Sequence, residues 1–197
     1  MKLLSSILAF GLVAAYLIAE PITPRKAPEL AFTLPGQGDK LLSQYRGKVV
    51  ALEFILTTCP HCQAASRIMT KFQQAYGARG YQSLDLAINA LDEGRKPDQA
   101  RMLVETFANN FQAGFPVGYI GRDPMMSFMG FSIMDRMVVP QLVLIDRKGV
   151  IRYQTPAGDT EDYGKMMNES LIQQHIEELL AEPAAAAARH TSAKKAM

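Results

Sequence analysis

The two cysteines of the chain stand three positions apart, as Cys59-Pro60-His61-Cys62, and there is no third cysteine to exchange with them. A disulfide across so short a loop removes little chain entropy, so its structural value is small. Its chemical value is larger, because the pair can pass between dithiol and disulfide. A strand-like run ends just before Cys59 and a helical period begins just after it. The first sulfur is therefore expected at a helix N-terminus, where free N–H groups and the macrodipole favour a thiolate. The pair reads as a redox couple, with a metal site or an inert pair as the other readings. His61 can give Cys59 a hydrogen bond or a positive charge, which stabilises the reduced form and makes the disulfide more oxidising. Pro60 lacks an N–H at a place where one would be unpaired anyway.

Glu53 is the next residue with chemistry to offer. It interrupts the run Lys48-Val49-Val50-Ala51-Leu52-Glu53-Phe54-Ile55-Leu56, six residues before Cys59. Even spacing in a strand keeps it on the face of the residues leading to the cysteines. A buried carboxyl there would have a raised pKa and could exchange a proton with Cys62. A strand-end glutamate reaching solvent is the alternative.

The elements that must position these groups follow from periodicity. The run 48–56 is almost continuously apolar, as a central strand covered on both faces should be. Ala65, Ile68, Met69, Phe72, Ala75 and Tyr76 recur at helical spacing, with Gly77 and Gly80 closing the helix. Leu84, Leu86, Ile88 and Ala90 alternate as a strand, and Pro97 opens a second amphipathic helix carrying Leu103, Val104, Phe107 and Phe111. A short strand is expected at 115–119 and a helix from Asp123-Pro124 to about residue 131. Residues 138–145 read as a strand that turns through Asp146-Arg147-Lys148-Gly149 into Val150-Ile151-Arg152-Tyr153. Leu171, Ile172, His175, Ile176, Leu179 and Leu180 mark a last helix. Alternation followed by a hairpin implies an α/β fold, a mixed central sheet between helical layers.

A chain of 197 residues, 48% apolar and 20% charged with a net charge of +2, can bury one good core. Without a basic stripe interleaved with aromatics, nucleic acid is not an expected partner. After Lys2, the uncharged run Leu3–Ala19 ends at Glu20-Pro21, the pattern of an export signal or an N-terminal membrane anchor. The folded part is thus expected outside the cytoplasm, in the periplasm or on the outer face of the membrane, where thiols can oxidise. The expected organisation is a signal or anchor over 1–19, a Pro-rich linker over 20–30, one domain over 31–181, and an alanine-rich disordered tail over 182–197.

The strand–Cys-x-x-Cys–helix unit, Val139-Pro140 ahead of a strand, and the Leu144-Ile145-Asp146-Arg147-Lys148-Gly149-Val150-Ile151 hairpin together resemble the thioredoxin-fold superfamily. Within it the chain is similar to the exported TlpA/ResA-type thiol-disulfide oxidoreductases, whose redoxin domain is related to that of peroxiredoxins. The resemblance implies a thioredoxin-like three-layer α/β/α sandwich over roughly residues 28–181. It implies Cys59 as the attacking thiolate and Cys62 as the buried resolving thiol. Glu53 matches an aspartate of thioredoxins, and Pro140 matches the cis-proline that faces the dithiol and borders the substrate with Val139. Cys-Pro-His-Cys, with valine before that proline, is also the pattern of DsbA-type oxidases. Thr58 stands where a tryptophan is usual, and the chain has no tryptophan at all.

The expected function is exported thiol-disulfide exchange with protein substrates, needing no cofactor. The partners would be protein thiols or disulfides and a membrane or periplasmic redox protein, with the chain itself a monomer. A peroxiredoxin-like thiol peroxidase is the enzymatic alternative, although a peroxiredoxin would carry threonine and proline where Leu56 and Leu52 stand. A Cu(I)- or Zn(II)-binding protein is the alternative from another class, since thiolates suit both metals and Met125, Met126, Met129, Met134 and Met137 cluster before Pro140. Core or groove packing is the simpler use of those methionines.

Overall fold

A computed structural model of the protein describes residues 22–183. The expected export segment, 1–19, and most of the alanine-rich tail lie outside the described residues. Strand β4, Val49–Ile55, is the spine of the fold, and all seven of its residues are buried. Three short strands precede it: β1 (Arg25–Lys26), β2 (Ala31–Leu34) and β3 (Gly38–Leu41). Helix α1 (Pro60–Tyr76) and strand β5 (Tyr81–Ala87) follow, then α2 (Pro97–Asn110), β6 (Val117–Tyr119) and α3 (Arg122–Met129). The hairpin of β7 (Gln141–Ile145) and β8 (Val150–Gln154) leads to α4 (Glu161–Met166) and α5 (Glu169–Ala181).

These strands form one eight-stranded mixed sheet in the order β1-β8-β7-β4-β5-β6-β2-β3. β4 runs parallel to β5 and antiparallel to β7, so both of its edges are paired. Its alternate side chains serve two cores. Val49, Ala51 and Ile55 meet α1, α2 and α5 through Met69, Phe72, Val104, Ile172 and Ile176. Val50, Leu52 and Phe54 meet α3 through Met125, Phe128 and Met129, with Phe32 and Leu34 of β2 alongside. Covering on both faces is why β4 lacks the apolar–polar alternation of a half-solvated strand. The layers are those of a thioredoxin-like α/β/α sandwich.

Four local features depart from the sequence expectation. The Pro-rich stretch read as a linker joins the sheet from Arg25: β1 pairs with β8, and Ala27 and Leu30 are buried. The Arg25 guanidinium donates to the carbonyl of Phe128 at 3.0 Å and to Gln154 Oε1 at 2.6 Å. Two residues carry no readable period, so long-range pairing alone creates this strand. β3 hides for a related reason: Gly38-Asp39-Lys40-Leu41 is an edge strand with little apolar content. β5 begins at Tyr81, three residues before the expected Leu84, and ends at Ala87. α4 is a short helix in the connection between β8 and α5, for which the sequence gives no expected element, capped by Thr160 Oγ1 accepting from the Tyr163 N–H at 3.1 Å. No helix among the described residues is long and apolar enough to cross a membrane.

Candidate active site

β4 delivers the chain to Leu56, and the turn 56–59 places Cys59 at the N-cap of α1 with Pro60 as the first helical residue. Proline suits that position because its missing N–H would have had no helical partner. The turn is tied down by its neighbours. Asn89 accepts from the Thr57 N–H at 3.2 Å and donates to Thr57 Oγ1 at 3.1 Å, while Gln63 donates to the Thr57 carbonyl at 3.2 Å. Cys59 is half-buried, and Cys62, one turn further on, is fully enclosed. Both are free thiols. Pro60, His61 and Thr58 are exposed around them.

The two sulfurs have different surroundings. The Cys59 thiol points to the Val139 carbonyl at 4.0 Å. Cys62 Sγ accepts from the Leu56 N–H at 3.5 Å. Burial pushes the Cys62 thiol well above its ordinary range, the Leu56 N–H opposes this, and Cys59 and Glu53 add to it. A thiol held neutral until it reacts needs a proton acceptor when it does.

Glu53 is the buried carboxyl whose charge acts on Cys62. It is 1% exposed, on the α1 face of β4, and burial raises its proton affinity strongly, with Asp85 as the second cause. It also forms part of the floor of a cavity of about 580 Å³ whose walls include His61, Met69, Met137, Val139, Pro140 and Tyr163. The cavity gives a carboxyl in the core a route to solvent beside the dithiol.

The Val139–Pro140 peptide is cis, as is Thr23–Pro24. The loop carrying the former is held from beneath by Gln141, which is fully buried. Its amide donates to the carbonyls of Val138 (2.8 Å), Pro156 (3.2 Å) and Ala157 (3.2 Å), and its Oε1 accepts from Thr155 Oγ1 at 2.6 Å. Tyr163 of α4 donates to the Pro140 carbonyl at 2.7 Å. Glu53, His61, Val139 and Pro140 thus line one cleft, from β4, α1 and the 138–140 loop, with Cys59 at the Val139 carbonyl and Cys62 enclosed one turn further along α1.

The family model for redoxins matches residues 24–170 of the chain, three-quarters of its length. The chain belongs to the redoxin family. Its fold recurs in solved structures. One, a protein of Chlorobium tepidum assigned as thiol:disulfide interchange protein DsbE, is 27% identical with a TM-score of 0.59, covering 80% of this chain and 96% of its own. A second Chlorobium tepidum protein, a thiol:disulfide interchange protein of the thioredoxin family, is 17% identical with a TM-score of 0.61, covering 81% and 99%. A protein of Bacteroides thetaiotaomicron assigned as a protein disulfide isomerase is 23% identical with a TM-score of 0.58, covering 81% and 90%. A search of curated proteins found no match. The fold is that of the thioredoxin-like thiol-disulfide oxidoreductases.

Three residues at or beneath this redoxin domain's cleft carry no local sequence signal: Tyr163 in its wall, and Asp85 and Gln141 buried below it. Gln141 sat inside a run read as strand, where only its burial distinguishes it. The methionines divide by place. Met125 and Met129 are fully buried in the α3 core, Met137 lines the cavity, and Met134 is exposed. Among the described residues, no group of three His, Cys, Asp or Glu side chains is placed to hold a metal.

Proposed function

We propose that the protein is an exported thiol-disulfide oxidoreductase that exchanges disulfides with protein substrates through Cys59 and Cys62. The observation that carries this reading is the unequal burial of the two sulfurs at the start of α1. Cys59 can be reached by a substrate sulfur, and Cys62 lies behind it. In the reducing direction Cys59 thiolate attacks a substrate disulfide, forming the mixed disulfide and releasing one substrate thiolate. Cys62 then attacks Cys59 Sγ. Its proton passes to Glu53, the Cys59–Cys62 bond forms, and the second substrate sulfur leaves as a thiolate. The substrate is reduced by two electrons and the enzyme dithiol is oxidised by two. The oxidising direction runs these steps in reverse.

Pro60 and His61 set the poise of the couple, His61 by stabilising charge on Cys59. Val139, half-buried at the edge of the cavity that Met137 and Pro140 also line, would offer a substrate chain polar backbone contacts next to an apolar side-chain pocket. The names of the related Chlorobium tepidum structures support thiol exchange as the reaction class. Export rests on the apolar leader 3–19 and fits a couple that must be reoxidised or rereduced outside the cytoplasm.

The test is turnover of a dithiol or disulfide protein substrate, such as insulin, by the wild type and by Cys59→Ser. The variant should be inactive, and full activity in it would refute the reading. The reduction potential of the couple assigns the direction: about −120 mV marks an oxidase and about −270 mV a reductase.

A further inference from the structure

Glu53 has a partner. β4 and β5 run parallel with Glu53 level with Asp85, so both side chains project from the same face of the sheet, under α1. Asp85 is completely buried and Glu53 almost so. Ser66 of α1 donates to Asp85 Oδ2 at 2.5 Å. With both acids ionised, Glu53 Oε2 and Asp85 Oδ1 are enclosed and have no hydrogen-bond partner. No lysine, arginine or histidine among the described residues bonds to either group. Two like charges side by side in a dry site, without a cation, cannot both persist. A proton on Glu53 removes the conflict, because its O–H then donates to Asp85, a contact that holds the proton on Glu53 and steadies the charge on Asp85.

We propose that Glu53 and Asp85 work as one carboxyl pair with a shared proton, and that Asp85 is the positioning residue that keeps this proton on Glu53 beside Cys62. The inference rests on the reading of Cys59 and Cys62 as a working couple, and it deepens that reading. A pair with one proton serves both directions. When Cys62 attacks the mixed disulfide, Glu53 takes up the S–H proton as its own proton passes across to Asp85, and the pair becomes neutral. When a substrate thiolate instead opens the Cys59–Cys62 bond, Cys62 leaves as a thiolate and takes the proton from Glu53, and the charge that remains is held on the pair. In either case the missing or extra proton is exchanged with water through the cavity that Glu53 lines.

The other groups facing the pair are few. Cys62 and Ser66 approach from α1, with Cys59 at its cap and His61 at the cavity wall. Tyr81 lies on β5, with its hydroxyl donated to by Ser83 at 2.9 Å. Leu142 is the neighbour on β7 and Ile172 on α5, both uncharged. Tyr163 of α4 and Asp159 before it line the cavity. Tyr81 and Tyr163 are themselves pushed upward, burial being the main cause, so neither ionises near neutrality.

The experiment uses the whole protein and two readouts. Infrared spectroscopy follows the C=O stretch of a protonated carboxyl against pH, with Glu53→Gln identifying the band. Stopped-flow opening of the Cys59–Cys62 disulfide by dithiothreitol, corrected for the thiolate fraction of the reagent, gives the pH profile of the step that needs the proton. In Asp85→Asn the Glu53 band should be lost, and the rate should fall on the alkaline side, at least about one pH unit lower than in the wild type. Ser66→Ala, a milder change, should move the pair the other way: without its donor, Asp85 takes up a second proton at higher pH. A band and a profile unmoved in Asp85→Asn would overturn the proposal, as would a Ser66→Ala profile identical to the wild type. A disulfide that never opens, with the band shifting as expected, would overturn the redox reading itself and with it the use assigned to the pair.

Discussion

Replacing Asp85 by asparagine should alter how stability depends on pH, by an amount the structure allows to be worked out. In the folded protein, burial raises the Asp85 carboxyl from its ordinary 3.8 to about 7, against the opposing help of Ser66 and Glu53. The unfolded chain has no such burial. Below about pH 4 both states are protonated and ionisation makes no difference. Between about 4 and 7 only the unfolded state loses the proton, so stability falls as pH rises, and above about 7 the loss is complete. At about 1.4 kcal/mol per tenfold change in proton affinity, the full interval is on the order of 4 kcal/mol. Asparagine does not ionise, and the fixed cost of altering the hydrogen bond to Ser66 is the same at every pH. The quantity to measure is therefore a double difference: urea unfolding of wild type and variant at about pH 4 and about pH 8. The variant should gain roughly 4 kcal/mol on the wild type between the two conditions, while contributions common to both proteins cancel. Glu53 pushes in the same sense, because its own proton is held less tightly once the neighbouring charge is gone. A variant-minus-wild-type difference that is the same at both pH values, within about 0.5 kcal/mol, would show that Asp85 is not the buried acid described.

Two other substitutions separate packing from chemistry. Gln141→Ala strips the support from three loop carbonyls and removes the shorter of the two acceptors of the Thr155 hydroxyl; loss of about 2–4 kcal/mol in urea unfolding is expected, with slower turnover of protein substrate, and an unaffected rate would mean that the Val139–Pro140 loop does not border the substrate. Met125→Ala should cost about 2–5 kcal/mol by the same unfolding assay and leave dithiol turnover at the wild-type rate, as a fully buried packing residue requires; a normal stability would show that the methionine is not filling the core.

Much of this was written in the chain in a form that local physics can read. β4 announces itself as an apolar run too continuous for a half-exposed strand, and α1 by its 3.6-residue period, so the two elements that deliver Cys59 and Cys62 could be placed before any coordinates. Glu53 stood out because a carboxylate within such a run demands a reason. Asp85 did not, although it is the more deeply buried. In β5 the apolar alternation Leu84, Leu86, Ile88 assigns the core to one face and, read alone, the other face to water. That other face, Tyr81, Ser83 and Asp85, is covered by α1, and its coverage depends on which strand lies beside β4 and in what register. Such information is carried by pairing across the sheet, not by local period. Tyr163 was hidden for a different reason. Its helix spans barely two turns, and its one functional bond reaches back 23 residues to the Pro140 carbonyl.

The position of Glu53 in the middle strand of an eight-stranded sheet divides the cleft into two walls of unequal durability. The backbone N–H groups of β4 and β5 are locked on both sides by neighbouring strands, so hydrogen exchange there should require opening of the whole domain. The opposite wall is built from the 131–140 loop and the short helix α4, with Ile133 and Met134 mostly in solvent, and such segments open at a small fraction of the global free energy. Local breathing can therefore reshape the side that meets a substrate protein while the acid pair and the Cys62 turn keep their geometry. On the proposed reading, one fold would thus admit substrates of different shape to the dithiol without disturbing the proton chemistry beneath it.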